Sequence, residues 1–489
     1  MAPSTRPRSA SPPAPVATSS STSPTSPRPD PSPDAPLAKR QKVERSTPKR
    51  KTLPYDRGMH LAPMVRIGTL PVRLLALEYG AEIVWGPEIV DKALIGATRS
   101  VDPKSGVVSF IKNKRSIFEC HPIEKPRLIF QLGSADPKLA VEAMKVIEQD
   151  VAGVGLNCGC PKSFSLQGGM GAALLKDPER LCSILKALVA ATDLPIDAKI
   201  RLLPLPAPSE LNSTSTPTRS DEPSEPAVLE NVPEPVPAPP RNSELDSSVT
   251  TGSAPTSTSS TPPSEEARVP PTIVVPPTPT ASEPTIPLVE AILSTGISNL
   301  TVHCRTQTMR SSEPALHRRM LEIARLGYSQ GIPVVCNGDA SGGGPGAEWG
   351  NFDDVCQVTG TRSVMIARAA EANVSCFRRE GFVDPIKEVI PRLIKIGVAT
   401  GNHFANSKYI LNAINLHLSP TPPSREVNRD IKLKMNKAKT YEDMGAIFGI
   451  DRDEVERSRQ VGQDGKIDEL VPAWMERRKE IVAVEGHEA

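Results

Sequence analysis

The sequence predicts an α/β fold, a (β/α)8 TIM barrel followed by a C-terminal helical domain. Three observations carry that expectation. Eight short apolar segments recur along the chain, most of them near-continuous hydrophobic runs of the kind expected for parallel strands buried on both faces. Helical patterns separate most of them. Polar residues gather where the segments end, the face on which barrels carry their chemistry.

The strands are read in order as MHLAPMV (59–65), EIVWGPE (82–88), LIFQLG (128–133), GVGLNCG (153–159), IDAKIRL (196–202), NLTVHCR (299–305), PVVCNGD (333–339) and SVMIARA (363–369). Between them lie helical patterns such as LPVRLLALEYG, DPKLAVEAMKVIEQ, DPERLCSILKALVAAT, PLVEAILSTG and PALHRRMLEIARLGYSQG. Two begin Asp-Pro, a capping side chain followed by proline at the first helical position. Two end on glycine, a common stop. The stretch 98–119 breaks the alternation and reads as a β-hairpin. The competing fold is a doubly wound open sheet, but no G-x-G-x-x-G follows the first strand.

Proline numbers 53 of 489 residues, about twice the average usage. The excess lies in the first fifty residues and in a tract after the fifth strand. Both lack the apolar content that offsets ordering entropy. The expected organisation is a disordered, basic, Pro/Ser-rich tail at 1–52 and a barrel at 53–384, interrupted by a disordered insertion at 204–285. A helical domain follows at 385–455, then a tail at 456–489. The insertion falls between a strand and its helix, so it leaves from the catalytic rim, and loop closure costs grow only slowly with length.

Net charge is +2, with basic clusters at 37–51 and 424–439 that read as solvated tails, nuclear address signals or nucleic-acid contacts. Eight cysteines without a secretory leader point to reduced thiols. No apolar run approaches the ~20 residues of a membrane span. The expected location is cytoplasmic, nuclear or both.

The strand ends present Pro63-Met64-Val65, Glu88, Gln131, Asn157-Cys158-Gly159-Cys160, Lys199-Ile200-Arg201, His303-Cys304-Arg305, Asn337-Gly338-Asp339 and Ala367-Arg368. Loops after the last two strands are the usual phosphate site of a barrel, and Asn337-Gly338 with Arg368 is the best candidate for it. The glycine run SGGGPG beside it reads as a flexible surface loop. Cys158, within its strand, reads as packing. A Cys158–Cys160 disulfide would close a strained ring, and a metal site would lack further ligands, so no metal is expected.

These strand ends resemble the tRNA-dihydrouridine synthases, through LAPMV, FQLG, NCGCP, AKIR, VHCRT, CNGD and MIARA. GGMGAALL is similar to the eukaryotic subgroup acting on uridine 20 of the D-loop. The resemblance implies FMN across the barrel mouth, tRNA as substrate, and NADPH or NADH as reductant. It implies that Pro63, Met64, Val65, Gln131 and Lys199 meet the flavin ring. It further implies that Asn337, Gly338, Asp339, Ala367 and Arg368 hold the phosphate end, and that His303 approaches the phosphate or the substrate side. Cys160 would be the acid. Reducing C5=C6 of uracil needs a proton at C5, and an ordinary thiol, titrating near ~8.5, still carries one at neutral pH. Lys387, Arg392, Lys395, Lys408, Lys432, Lys434, Lys437 and Lys439 are candidate tRNA contacts, on a chain expected to be a monomer. Two other readings are a dihydroorotate-type FMN barrel and a non-catalytic tRNA chaperone.

Overall fold

The computed structural model describes residues 52–206 and 283–485. The basic cluster at 37–51 and the body of the expected insertion lie outside the described residues. The eight barrel strands are β1 Gly58–Leu61, β2 Ile83–Trp85, β3 Leu128–Gly133, β4 Gly153–Asn157, β5 Ile196–Arg201, β6 Asn299–His303, β7 Val334–Asn337 and β8 Ser363–Ile366. Each pairs in parallel with its sequence neighbours. β1 also pairs with β8, from Gly58↔Ser363 to Leu61↔Ile366, and closes the cylinder. All eight expected strands are present, and the fold is a closed (β/α)8 barrel.

Side chains alternate along each strand, so the core divides in two. One apolar set, with Ile83, Trp85, Ile129, Val335 and Met365, fills the barrel. The larger set joins the sheet to the helices, for example Leu156, Ile200, Val302 and Val364. Asp136 and Asp177 each cap the helix they precede, accepting backbone N–H groups ahead of a proline, as the Asp-Pro pairs predict.

The expected hairpin is instead a three-stranded antiparallel meander of Thr98–Val101, Val108–Lys112 and Arg115–Cys120. The second turn is made by Asn113 and Lys114, both with left-handed φ (51° and 61°). That is the two-residue geometry of tight hairpins, reached here without the glycine that usually marks it.

The fifth unit is interrupted as expected. Leu203 N–H donates to Thr285 Oγ1 at 3.1 Å, and Arg319 joins Leu203 O to the Glu283 carboxylate. The chain therefore leaves the rim and returns at one point, directly before the helix Ile286–Leu293.

Beyond the barrel the chain is helical, but it does not stop at 455. The helix Arg452–Gln463 crosses that boundary, and Pro472–Glu485 forms another. The latter docks on the barrel. Trp474 is 1% exposed and donates its indole N–H to Ile123 O at 2.9 Å. Glu78 on the barrel's first helix accepts both Trp474 N–H and Arg392. The tail read at 456–489 is thus largely a structural element, because one buried tryptophan anchors it. Among the described residues no helix is long and apolar enough to cross a membrane.

Candidate functional site

The loop after β1 is set by its own backbone: Met64 O accepts the N–H groups of Ile67 and Gly68. Gly68 O in turn accepts from Arg73, which is held by a buried two-pronged pair with Glu124. Pro63 and Met64 are half-buried at the rim, and Val65 is 53% exposed. Arg66 takes a left-handed φ of 68° and lies 3.7 Å over the Tyr409 ring, joining this loop to the helical region.

The loop after β4 is tied at four points. Asn157 Oδ1 accepts the backbone N–H groups of Gly159 (3.0 Å) and Cys160 (3.2 Å). Arg201 Nε donates to Gly159 O, and Ala172 N–H to Cys160 O. Glycine is required at 171, where φ is +59° and a Cβ would stand 2.6 Å from Cys160 O. The result is a partly exposed Cys160, while Cys158 is fully buried. All eight cysteines are free thiols.

β5 carries Asp197 and Lys199 two residues apart, so both face the barrel axis. Asp197 is fully buried and accepts Trp85 Nε1 at 2.8 Å. Burial pushes its carboxyl up to about 7, against the Trp85 hydrogen bond and the charge of Lys199. Lys199 stands in register with Asn157 on one side and Thr301 on the other. Burial first, and then Arg201, lowers its ammonium to about 8, with Asp197 opposing. Gln131 is buried in β3, in register with Gly155.

The ends of β6, β7 and β8 enclose a cavity of about 420 Å³. Six of the expected site residues line it: His303, Asn337, Gly338, Asp339, Ala367 and Arg368. Arg201 and Arg305 complete its charged wall. Asn337 Nδ2 donates to Met365 O, locking β7 to β8. The Asp339 carboxylate is tied up by Arg305 at 2.6 and 2.7 Å, by Arg368 and by Ala315 N–H. Burial favours its neutral form, but these partners outweigh that and hold it below the usual carboxylate range. Its side chain is thus a counter-ion that aims two arginines. His303 is held neutral, down to about 2, by burial and then by Lys199, Arg201, Arg305 and Arg368. Four cations around one neutral imidazole and one carboxylate leave a positive excess, which suits a phosphate. A mouth of this size falls in the range of small-molecule and cofactor sites.

Pro63, Met64, Val65, Gln131, Lys199 and Cys160 do not line that cavity. They belong to the other strands of the same rim, β1, β3, β4 and β5, of which β1 adjoins β8 and β5 adjoins β6. The glycine run is packed tightly rather than loose. Gly342 and Gly343 have φ of +116° and +84°, and a Cβ on either would strike the carbonyl of Cys376 or Trp349. Of the candidate tRNA-contacting cations, Arg392 is paired with Glu78, Lys395 with Glu454 and Lys434 with Asp430. Lys408 and Lys432 each donate to two backbone carbonyls. Arg392, Lys395, Lys408 and Lys432 thus have structural duties within the chain, while the Lys434 pair is exposed.

Glu88, Asn157, Arg201 and Arg305 stand at strand ends in the sequence, yet nothing in residue type assigns them work. Asn157 holds its own loop's backbone, while Arg201 and Arg305 reach backbone carbonyls and the Asp339 carboxylate of other loops, partners visible only in the fold.

The dihydrouridine synthase family model matches residues 60–204 and 279–414. The chain is 38% identical over 408 residues to the tRNA-dihydrouridine(20) synthase [NAD(P)+] of Schizosaccharomyces pombe, spanning 82% of this chain and 66% of that protein. It is 30% identical over 384 residues to the Saccharomyces cerevisiae protein of the same name, spanning 74% of this chain and 77% of that one.

Proposed function

The chain belongs to the dihydrouridine synthase family, and from that premise we propose that it reduces the C5=C6 bond of uridine 20 in the tRNA D-loop, with FMN as resident cofactor and NADPH or NADH as electron source. The observation that carries this reading is the Cys160 loop, pinned by Asn157 and Arg201 on the same rim as Lys199 and the cationic cavity.

The residues present fit FMN. The cavity wall of Arg201, Arg305 and Arg368 would hold its phosphate, with Gly338 and Ala367 offering close backbone approach and Asn337 fixing the two strands. Asp339 would serve there through its arginines, since a carboxylate repels phosphate. Pro63, Met64, Val65, Gln131 and Lys199 would meet the ring, with the lysine cation beside its pyrimidine edge. Bound flavin would supply a hydride to C6 of the uracil.

The chain's own work is acid catalysis and positioning. Cys160 gives its proton to C5. Neutral His303 is able to hydrogen-bond an uncharged base or sugar without adding charge. A uridine stacked in tRNA must be extruded to reach this rim, at a cost of a few kcal/mol that is smallest in a loop. The relatives' printed names support tRNA and a nicotinamide reductant.

The test uses the purified full chain, an unmodified tRNA transcript and NADPH. The expected result is a yellow protein that forms dihydrouridine at position 20. A colourless protein, or turnover of free orotate in place of tRNA, contradicts the proposal.

A further inference from the structure

We propose that the Phe164 ring is a stacking platform for the nucleobase next to the extruded uridine, a substrate-binding residue at the barrel mouth. The inference rests on the reading of tRNA as substrate.

The chain has nine phenylalanines, five tyrosines and three tryptophans. Among the described residues two of these rings are exposed, Phe164 at 47% and Tyr409 at 40%. Both border the rim. Tyr409 carries Arg66, from the loop after β1, over its ring. Phe164 stands four residues beyond Cys160, and among the described residues no ring or cation lies over it.

Backbone contacts hold the ring in place. Phe164 belongs to the short helix Ser163–Gln167. Lys162 O accepts the N–H groups of Ser165 (3.0 Å) and Leu166 (3.1 Å), and Phe164 O accepts that of Gly168 (3.1 Å). Ser165 is fully buried, while Ser163, Phe164 and Gln167 are exposed. At Gly171 a Cβ would stand 3.1 Å from both Cys160 Cβ and Ser165 Cβ. The turn carrying Phe164 therefore lies against the acid's own loop. An isolated exposed apolar side chain is ordinary on a protein surface. This one is held on a fixed turn where the substrate must pass, whereas Phe110, Phe118, Phe130, Phe352 and Phe377 are buried.

Extruding a uridine breaks its stacks with both neighbours and leaves each with one bare face. An aromatic side chain replaces the lost partner, and such stacking accepts any base. Lys162, exposed beside Phe164, supplies charge for the adjoining phosphate. Ser163 and Gln167 offer hydrogen bonds to the sugar. The occupant that matches an apolar ring flanked by a cation and these polar groups is one nucleotide of the D-loop strand.

The test uses the purified full chain, NADPH and unmodified tRNA transcript. Phe164→Ala should lower kcat/KM for tRNA by about tenfold, chiefly through KM. Phe164→Trp keeps a flat ring and should stay within about twofold of wild type. Phe164→Leu keeps apolar bulk without the ring and should fall nearly as far as alanine. A transcript with an abasic residue on one side of the target should cost wild type a similar factor. It should cost Phe164→Ala little more, since one stack is lost only once. In Phe164→Trp, the added indole emission should be quenched by the intact transcript and not by that abasic one. Equal kcat/KM in Phe164→Ala and wild type would overturn the proposal. So would a leucine variant that matches wild type, or losses that add to Phe164→Ala with an abasic residue on either side. Wild-type protein that forms no dihydrouridine would sink the functional reading instead, and the quenching would still report on Phe164.

Discussion

Asn157 Oδ1 accepts the backbone N–H of Cys160 at 3.2 Å, and that of Gly159 at 3.0 Å. An asparagine ending a barrel strand thereby dictates where the next loop presents its sulfur. The contact is local, two and three residues along the chain, so it forms as soon as β4 does.

Asn157→Ala removes this tie while leaving the strand and the thiol in place. The dihydrouridine-forming rate should fall by about 10- to 100-fold, because a displaced acid loses its near-attack geometry. Flavin content should stay at the wild-type level, since the cavity of β6, β7 and β8 is untouched. Single-turnover rates and flavin absorbance on the same preparation check both halves.

Asp197 makes folding depend on pH. Its carboxyl lies at about 7 in the folded chain against an ordinary 3.8. A raised group contributes stability that is full below the unfolded value and is lost as pH rises through the folded one. The contribution of Asp197 to stability should therefore decline between about pH 4 and pH 7 and level off above. Asp197→Asn keeps an oxygen for Trp85 Nε1 and abolishes the titration. Thermal unfolding followed from pH 4.5 to 8 should show the variant gaining on wild type as pH rises. Parallel curves would exclude this assignment.

The hydrogen bond between Leu203 and Thr285 bears on the long segment between them. Replacing 207–282 by a short Gly-Ser linker should leave the melting temperature within about 2 °C and the tRNA activity near wild type, because closure entropy grows slowly with loop length. Insoluble or inactive protein would assign that segment a role in the barrel or in tRNA binding.

The barrel was legible because its strands are continuous apolar runs, and because Asp136 and Asp177 announce their helices. The rim residues were legible as a set, since strand ends are the same place in every barrel. Partners were not. Whether Asp339 faces a ligand or Arg305 depends on the left-handed turn at Gly338-Asp339 and on arginines from β6 and β8. The lysines of the helical domain read as candidate tRNA contacts until the carboxylates and carbonyls that hold Lys395, Lys408 and Lys432 are in view. The C-terminal helix escaped notice because its anchor is one tryptophan whose pocket is built by residues near 78 and 123.

The central claim is that the Cys160 sulfur protonates the reduced base, and Cys160→Ala tests it most directly. Purified alongside wild type, the variant should keep its bound flavin and its reduction by NADPH, and should lose dihydrouridine formation on tRNA by about 100-fold or more. Dihydrouridine formed at the wild-type rate by that flavin-loaded variant would contradict the account.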